Sequence, residues 1–185
     1  IPILEIAPGE KAGEITVKSA NGTDRKPAPS HAAGLLREAT SDHEALALHT
    51  SGTTARPKLV PLTHGILCAS ARNISASLGL NPADRCLNVM PLFHVHGLVA
   101  STMATLATGG TVVLPAKFNP LSFWRVARDY GATWYSAVPT LHHLLAARAE
   151  SGKRPEGAAR LRFIRSCSAS LSPPLISDLE AAFGA

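Results

Sequence analysis

The most distinctive stretch of this 185-residue chain covers residues 48–58 and reads LHTSGTTARPK. It contains four hydroxyl side chains, one glycine and two cations, and it follows an apolar run. Backbone N–H groups and hydroxyls in such a segment can surround a phosphate, while a lysine adds a point charge. The stretch therefore predicts a phosphate-binding loop.

The Walker A loop is the commonest phosphate loop of this composition, and the sequence excludes it. Walker A requires the pattern GxxxxGK[ST]. Counted from Gly52, that pattern needs glycine at 57 and serine or threonine at 59, but the chain has Pro57 and Leu59. Pro57 also biases the preceding residue toward extended backbone, so no helix begins there. We expect the next helix to begin near Thr63, a suitable N-cap residue.

Composition describes a globular protein of about one domain. The chain is 45% hydrophobic with a formal net charge of +5, and it shows no basic stripe interleaved with aromatic residues, which argues against nucleic-acid binding. Cys68, Cys86 and Cys167 have neither metal nor disulfide spacing, so we expect a reducing compartment: the cytoplasm, or the peroxisome in a eukaryote. The uncharged stretch between His96 and Lys117 is rich in threonine and broken by two glycines, which favours a core helix and a strand over a membrane span.

From residue 44 onward, apolar runs alternate with helical patterns. Strands are predicted at 45–49, 86–90, 111–114, 133–138 and 161–167, and helices at 63–79, 96–107, 119–130, 139–149 and 172–183. This alternation is typical of an α/β fold with a mainly parallel, helix-covered sheet. Residues 1–43 are expected to form an irregular lead-in, with a short strand at 15–17 and an exposed loop at 21–30. The surface linker before the last strand is predicted at 152–157.

The unusual residues follow the predicted strands. In parallel sheets, ligands bind at the carboxyl ends of the strands. The phosphate loop, the turn 91–97 (PLFHVHG) and the turn 166–171 (SCSASL) should therefore meet at one edge. We expect a nucleotide site there with an adjoining pocket for a small acid.

These three segments, in this order, resemble the adenylate-forming superfamily of acyl-CoA synthetases, peptide-synthetase adenylation domains and beetle luciferases. The loop signature of that superfamily is TSGTTGxPKG, and residues 50–58 match it except at Ala55, while Leu59 replaces the second glycine. The resemblance covers about residues 44–185, which implies a partial AMP-binding (adenylation) domain within the N-terminal domain of such an enzyme. It is closest to oxalate–CoA ligases over residues 48–54, 91–98, 132–140 and 162–171.

The resemblance implies an acid–thiol ligase that uses ATP, Mg²⁺ and coenzyme A. A carboxylate attacks the α-phosphorus of Mg-ATP to give an acyl-adenylate and pyrophosphate, and the CoA sulfur then displaces AMP. The nucleotide-binding residues that it implies are Thr50, Ser51, Gly52, Thr53, Thr54, Lys58, Ser168, Ala169 and Ser170. Of these, Lys58 is expected to stabilise the negative charge that develops on the leaving pyrophosphate.

By the same resemblance, His94 lines the acyl pocket and takes part in catalysis by gating between the two half-reactions. His94, Ser166 and Ser168 are expected to contact the acid, and their polarity suits a small polar acid such as oxalate better than a fatty acid. No metal ligand is expected within residues 1–185. The magnesium-binding glutamate of the superfamily belongs to a segment expected after Ala185, so the chain is expected to be an inactive fragment that lacks the N- and C-terminal parts of its enzyme.

Several alternatives stay open. The chain could be a non-catalytic nucleotide-binding module of the same fold, or part of a fatty- or aryl-acid–CoA ligase. A metal pair at His94 and His96 is disfavoured because no nearby carboxylate or cysteine completes it. Among the remaining candidates, His96 and Cys167 are expected to pack in the interior. The expected positions of the others are surface for His142 and His143 and core for Trp124 and Trp134.

Overall fold

The computed structural model describes residues 4–8, 15–19, 39–50, 58–148 and 155–184. The chain divides into two units, 1–39 and 40–185. In the first unit, strands β1 (Leu4–Pro8) and β2 (Ile15–Ser19) pair antiparallel. The strand predicted at 15–17 is confirmed and β1 is an addition to it, whereas the loop predicted at 21–30 lies outside the described residues.

The second unit is built on a parallel four-stranded sheet with the order β6–β5–β7–β8. Its strands are β5 (Arg85–Asn88), β6 (Thr111–Val113), β7 (Trp134–Ala137) and β8 (Phe163–Ser166). β7 is buried along its whole length, because it lies between two strands and has helices on both faces. Such a strand has no exposed side and need not alternate polar with apolar residues. The predicted α/β class, with a parallel, helix-covered sheet, is confirmed.

Helices connect these strands. They are α1 (His64–Ser77), a π-helix (His96–Met103) that continues into α2 (Ala104–Leu106), α3 (Phe123–Asp129), α4 (Pro139–Ala146), a 3₁₀ turn (Glu156–Ala158) and α5 (Pro173–Phe183). The predicted N-cap of α1 is confirmed, since the Thr63 hydroxyl accepts a hydrogen bond from the Ile66 backbone N–H at 3.3 Å. No helix in the described ranges is both long and apolar enough to cross a bilayer.

The two faces of the sheet carry separate apolar clusters. On one face, Leu87 and Tyr135 pack with residues of α3, α4 and α5. On the other, Cys86 and the fully buried Trp134 pack with Ala104 of α2, and Phe163 stacks on Trp134 with a ring separation of 5.3 Å. Consecutive residues of a strand point to opposite faces, so β5, β7 and β8 each contribute to both clusters.

A partly buried ion pair lies at the amino end of the sheet. The Asp84 carboxylate, 2% exposed, accepts hydrogen bonds from the Arg162 guanidinium at 2.7 and 2.8 Å and from the Thr133 hydroxyl at 2.8 Å. Burial alone would raise the pKa of Asp84, but these hydrogen bonds outweigh it, and the pKa lies below its usual value of 3.8. The pair ties β8 to the turn that enters β5.

The first predicted strand is placed differently from our expectation. Residues 45–49 belong to β3 (Glu44–Thr50), which pairs antiparallel with β4 (Lys58–Thr63) in a separate two-stranded sheet. It is not a buried strand of the parallel sheet. Leu46 and Leu48 are half-buried, while Ala45, Ala47 and His49 are exposed, so β3 has the two-residue alternation of a strand with one covered face.

Two further local predictions are wrong. His142 is fully buried, with its Nδ1 3.2 Å from the Tyr135 hydroxyl. Gly157, expected in a surface linker, is buried where a Cβ would overlap the Trp124 carbonyl. The helix predicted at 96–107 is confirmed, and its first part is a π-helix.

Candidate active site

The carboxyl ends of β5, β7 and β8 meet at one edge of the parallel sheet. The strands are paired so that Asn88 lies opposite Ser136, and Ser136 lies opposite Arg165. Each of these polar residues sits at or next to the end of its strand, on the face that carries the π-helix. Closer to the amino ends, the same face is apolar, with Cys86, Trp134 and Phe163. The edge therefore has a polar layer above an apolar one.

Asn88 fixes the turn that follows β5. Its side-chain amide donates to the Gly97 carbonyl and to the Thr102 hydroxyl, both at 2.9 Å, and its amide oxygen accepts from the Met90 N–H at 3.0 Å. Gly97 has no room for a side chain, since a Cβ there would overlap the carbonyl oxygens of Pro91 and Met90. The turn is thus held against the first turn of the π-helix.

The two histidines of this turn have different environments. The His94 side chain is exposed, with its ring centroid 4.6 Å from that of Phe93. His96 is 6% exposed, and its Nε2 lies 2.7 Å from the Ser136 hydroxyl. Burial, together with the positive charge of Arg165, lowers the pKa of His96 to about 4. His96 is therefore neutral at pH 7, while His94 faces solvent at the carboxyl edge.

Ser136 joins His96 to Arg165. The Arg165 guanidinium donates to the Ser136 oxygen from Nη1 at 3.1 Å. The serine oxygen has two lone pairs, so its contact with Nε2 of His96 runs in the direction set by the tautomer of the ring. The Nδ1 atom is buried and has no hydrogen-bond partner.

The turn after β8 exposes small residues at the same edge. Ser168, Ala169 and Ser170 are exposed, and Ser168 has a positive φ of 75°. Left-handed backbone at a residue other than glycine costs of order 1–3 kcal/mol, and such positions cluster at functional sites. Cys167 is half-buried rather than enclosed. Ser166 belongs to the face that carries α4, opposite Arg165, and its hydroxyl is buried without a hydrogen-bond partner.

The predicted phosphate loop is represented by its two ends. β3 and β4 pair Thr50 with Lys58, so the hairpin closes the loop and brings both ends together. Lys58 is exposed. Residues 51–57, with the predicted ligands Ser51, Gly52, Thr53 and Thr54, lie outside the described residues, as does the side chain of Thr50.

An open groove of ≈ 570 Å³ lies beside the turn, between the carboxyl ends of β5 and β6. Leu92, Phe93 and Leu114 contribute its apolar walls, and Lys117 also lines it. No three His, Cys, Asp or Glu side chains come together as a metal site in the described part of the chain.

Sequence reasoning missed Asn88, Ser136 and Arg165. The available signal was a polar residue at or next to the carboxyl end of each strand: Asn88 in β5, Ser136 in β7 and Arg165 in β8. The strands β5 (Arg85–Asn88) and β7 (Trp134–Ala137) have apolar residues at their centres, so the polar residue near the end of each was not distinguished from the turn that follows.

A parallel sheet with glycine-, serine- and histidine-containing turns at its carboxyl edge is the architecture of a nucleotide-binding α/β protein. The sequence model described as "AMP-binding enzyme" matches residues 3–185. The chain belongs to the family of AMP-binding enzymes.

Two relatives are both named as CoA ligases. An oxalate–CoA ligase from Arabidopsis thaliana is 51% identical over 146 residues, which are 78% of this chain and 28% of that protein. A sulfoacetate–CoA ligase from Cupriavidus necator is 41% identical over 170 residues, or 92% of this chain and 33% of that protein. The chain thus spans about a third or less of the length of these relatives.

Solved structures show the same fold. A malonyl-CoA ligase, crystallised as a product complex with methylmalonyl-CoA and AMP, superimposes with a TM-score of 0.73 at 31% identity. The superposition covers 81% of this chain and 33% of that one.

Proposed function

We propose that the protein is an ATP-dependent acid–CoA ligase, and that its acid is small and polar, with oxalate as the first candidate. The family match over residues 3–185 is the observation that carries the reaction class. The choice of acid is supported by the oxalate–CoA ligase relative at 51% identity and by the polar layer at the carboxyl edge. The sulfoacetate–CoA ligase also points to a small anionic acid.

The first half-reaction is adenylation. An oxygen of the substrate carboxylate attacks the α-phosphorus of ATP, the bond from that phosphorus to the α,β-bridging oxygen breaks, and pyrophosphate leaves with the electron pair. Negative charge grows on the pyrophosphate, so donors around it stabilise the transition state. In our proposal these donors are Lys58 and the hydroxyls and N–H groups of Thr50, Ser51, Gly52, Thr53 and Thr54.

The second half-reaction transfers the acyl group to coenzyme A. The CoA thiolate attacks the acyl carbon, a thioester bond forms, and AMP leaves with the electron pair of the broken acyl–phosphate bond. We assign the adenine side of the site to Ser168, Ala169 and Ser170, and contact with the acid to His94, Ser166 and Ser168. His94 is exposed at the edge, where it can contact a bound acid without leaving the turn.

Magnesium would accompany ATP and neutralise phosphate charge. The described residues contain no cluster of three possible metal ligands, so they offer no protein cage for the ion. The cysteines Cys68, Cys86 and Cys167 are all free thiols, which suits a reducing compartment such as the cytoplasm or the peroxisome.

A fatty- or aryl-acid–CoA ligase is the second candidate. The groove walled by Leu92, Phe93 and Leu114 favours it, because an apolar acid would cover these exposed side chains. A buried polar site disfavours an apolar ligand, since each donor left unpaired costs about 1–3 kcal/mol. The two candidates therefore differ in which side of the turn the acid occupies.

Thioester formation by the full-length protein distinguishes them. The protein is incubated with ATP, Mg²⁺, CoA and one acid at a time from oxalate, malonate, acetate and octanoate, and the acyl-CoA product is identified by mass. We expect oxalate or malonate to give the highest rate. Octanoate as the best substrate would favour the second candidate, and no thioester with any acid would contradict the ligase assignment.

A further inference from the structure

Arg165 is the feature of the carboxyl edge that the proposed reaction does not yet use. It lies next to the end of β8, is half-buried, and faces the side of the sheet that carries the π-helix. Within the described residues its side chain donates to the Ser136 hydroxyl, and no Asp or Glu pairs with it there. A half-buried cation without a counter-ion is costly unless a ligand supplies the charge.

The surroundings hold the guanidinium in place without neutralising it. Ser136 is fully buried and contacts both Arg165 and His96. His96 is uncharged at neutral pH, so it adds no competing positive charge. Its buried Nδ1 is a second polar atom without a partner. The cluster of Ser136, His96 and Arg165 therefore has one fixed cation and no internal anion.

The position of Arg165 determines which anion it can meet. The predicted phosphate loop has its own cation, Lys58, at the end of the β3–β4 hairpin. The reacting carboxylate of the acid must reach the nucleotide. Arg165 projects from the sheet itself, so it is placed to pair with the group at the other end of the acid. A guanidinium can hold a carboxylate through two parallel hydrogen bonds.

Resting on the proposed ligase function, we propose that Arg165 pairs with the second, non-reacting anionic group of a small dianionic acid, and that Ser136 and His96 position it. Arg165 then determines specificity for dicarboxylates over monocarboxylates. A monocarboxylate such as acetate leaves the guanidinium unpaired, whereas oxalate or malonate supplies the missing counter-ion.

The test compares the ratio of kcat/KM for oxalate to kcat/KM for acetate between variants. In the full-length protein, kcat/KM is measured for oxalate and for acetate in the wild type and in Arg165→Met, Arg165→Lys and Ser136→Ala. Arg165→Met should lower kcat/KM for oxalate about tenfold to a hundredfold, the loss of one charge-assisted contact, and leave acetate within about threefold. Arg165→Lys should keep part of the preference for oxalate over acetate, because lysine keeps the positive charge but cannot form two parallel hydrogen bonds with a carboxylate. Ser136→Ala should raise KM for oxalate more than it lowers kcat.

Arg160→Met is the matched control. Arg160 is exposed and precedes β8, at the opposite end of the strand from the carboxyl edge, and its removal should leave the oxalate-to-acetate ratio unchanged. Folding of each variant is checked by circular dichroism. If Arg165→Met does not fold, the ratio in Arg165→Lys decides: a reduced preference for oxalate supports the inference, and an unchanged one overturns it.

Other outcomes separate this inference from the ligase assignment. An equal loss for both acids would make Arg165 a structural residue and overturn the proposal. A raised KM for ATP with an unchanged acid ratio would assign Arg165 to a phosphate, which also overturns it. If the wild type activates no acid, calorimetric titration with oxalate still tests the site. Oxalate binding that is lost in Arg165→Met but kept in Arg160→Met supports the proposed role of Arg165. Any other pattern, including no oxalate binding by the wild type, contradicts that role.

Discussion

Burial controls the protonation state of the two interior histidines. His96 has a pKa lowered to about 4, first by burial and then by the charge of Arg165. The pKa of His142 is also lowered, chiefly by burial. In the unfolded chain both would titrate near 6.5, so the unfolded state binds protons that the folded state does not. Folding stability is therefore highest above pH 6.5 and falls as the pH drops toward 4.

This difference predicts a measurable titration. In an NMR pH series, the ring signals of His96 should not shift between pH 8 and pH 5, because its pKa is lowered to about 4. The free energy of unfolding should decline from pH 6.5 to 4, and this decline should be smaller in His96→Asn. A His96 signal that titrates near pH 6.5 would show that the ring is not buried as the structure has it.

The Lys58 ammonium is expected to contact the phosphates of ATP. If it does so, Lys58→Ala should reduce adenylation by about tenfold to a hundredfold, the effect of losing a charge-assisted hydrogen bond of about 1.5–3 kcal/mol. Carboxylate-dependent pyrophosphate exchange measures this. Arg72→Ala, an exposed cation on α1, is the control and should exchange at the wild-type rate. An equal rate in Lys58→Ala would exclude Lys58 from the site.

At the scale of elements, the Asp84–Arg162 pair joins β8 to the entry of β5. Asp84→Asn would leave Arg162 without its charge partner, which we expect to cost about 2 kcal/mol. That is less than the roughly 3–5 kcal/mol of a fully buried pair, because the Arg162 side chain is 42% exposed. Chemical denaturation at pH 7 measures the loss.

The same substitution has a predicted pH signature. The carboxyl pKa is lowered in the folded state, so the stability from the ion pair is present above pH 3.8 and is lost as the pH falls through the lower, folded-state pKa. The difference between wild type and Asp84→Asn should therefore shrink below pH 3.8. A constant difference down to pH 2 would contradict this account of the pair.

Gly97 couples the turn bearing His94 to the π-helix. Gly97→Ala would place a methyl group against the carbonyl oxygens of Met90 and Pro91, and overpacking of this kind costs about 1–3 kcal/mol. We expect lower adenylation together with lower thermal stability. Ala100→Ser in the same helix provides a control for the tolerance of the helix to added volume. Full activity in Gly97→Ala would show that the turn can move without consequence.

Particular elements show what the sequence could and could not predict. The strands and helices after residue 80 follow from their apolar runs and caps, as Ser172 and the two prolines at the start of α5 illustrate. The hairpin of β3 and β4 did not follow, because an apolar run of five residues fits a buried strand as well as a half-covered one. The π-helix has no sequence signature of its own.

Part of the candidate site was predicted from the sequence and part was not. The turns 91–97 and 166–171 were predicted to meet, and the parallel sheet brings them to one edge. Asn88, Ser136 and Arg165 were not predicted, because their alignment depends on the register between three strands. Register follows from the packing of the whole sheet, so local sequence does not reveal it.

At the scale of the whole molecule, the described chain supplies one sheet edge with its turns and the two ends of the predicted phosphate loop. It spans 28% of the oxalate–CoA ligase relative and 33% of the sulfoacetate–CoA ligase. We propose that this edge activates a small polar acid with ATP.

The most direct test is carboxylate-dependent exchange of labelled pyrophosphate into ATP by the full-length protein, without CoA. This measurement isolates adenylation from thioester formation. We predict exchange that depends on oxalate or malonate, exceeds the rate with octanoate, and is lowered at least about tenfold in Lys58→Ala. Exchange that is absent with every acid, in protein shown to be folded, would contradict the account.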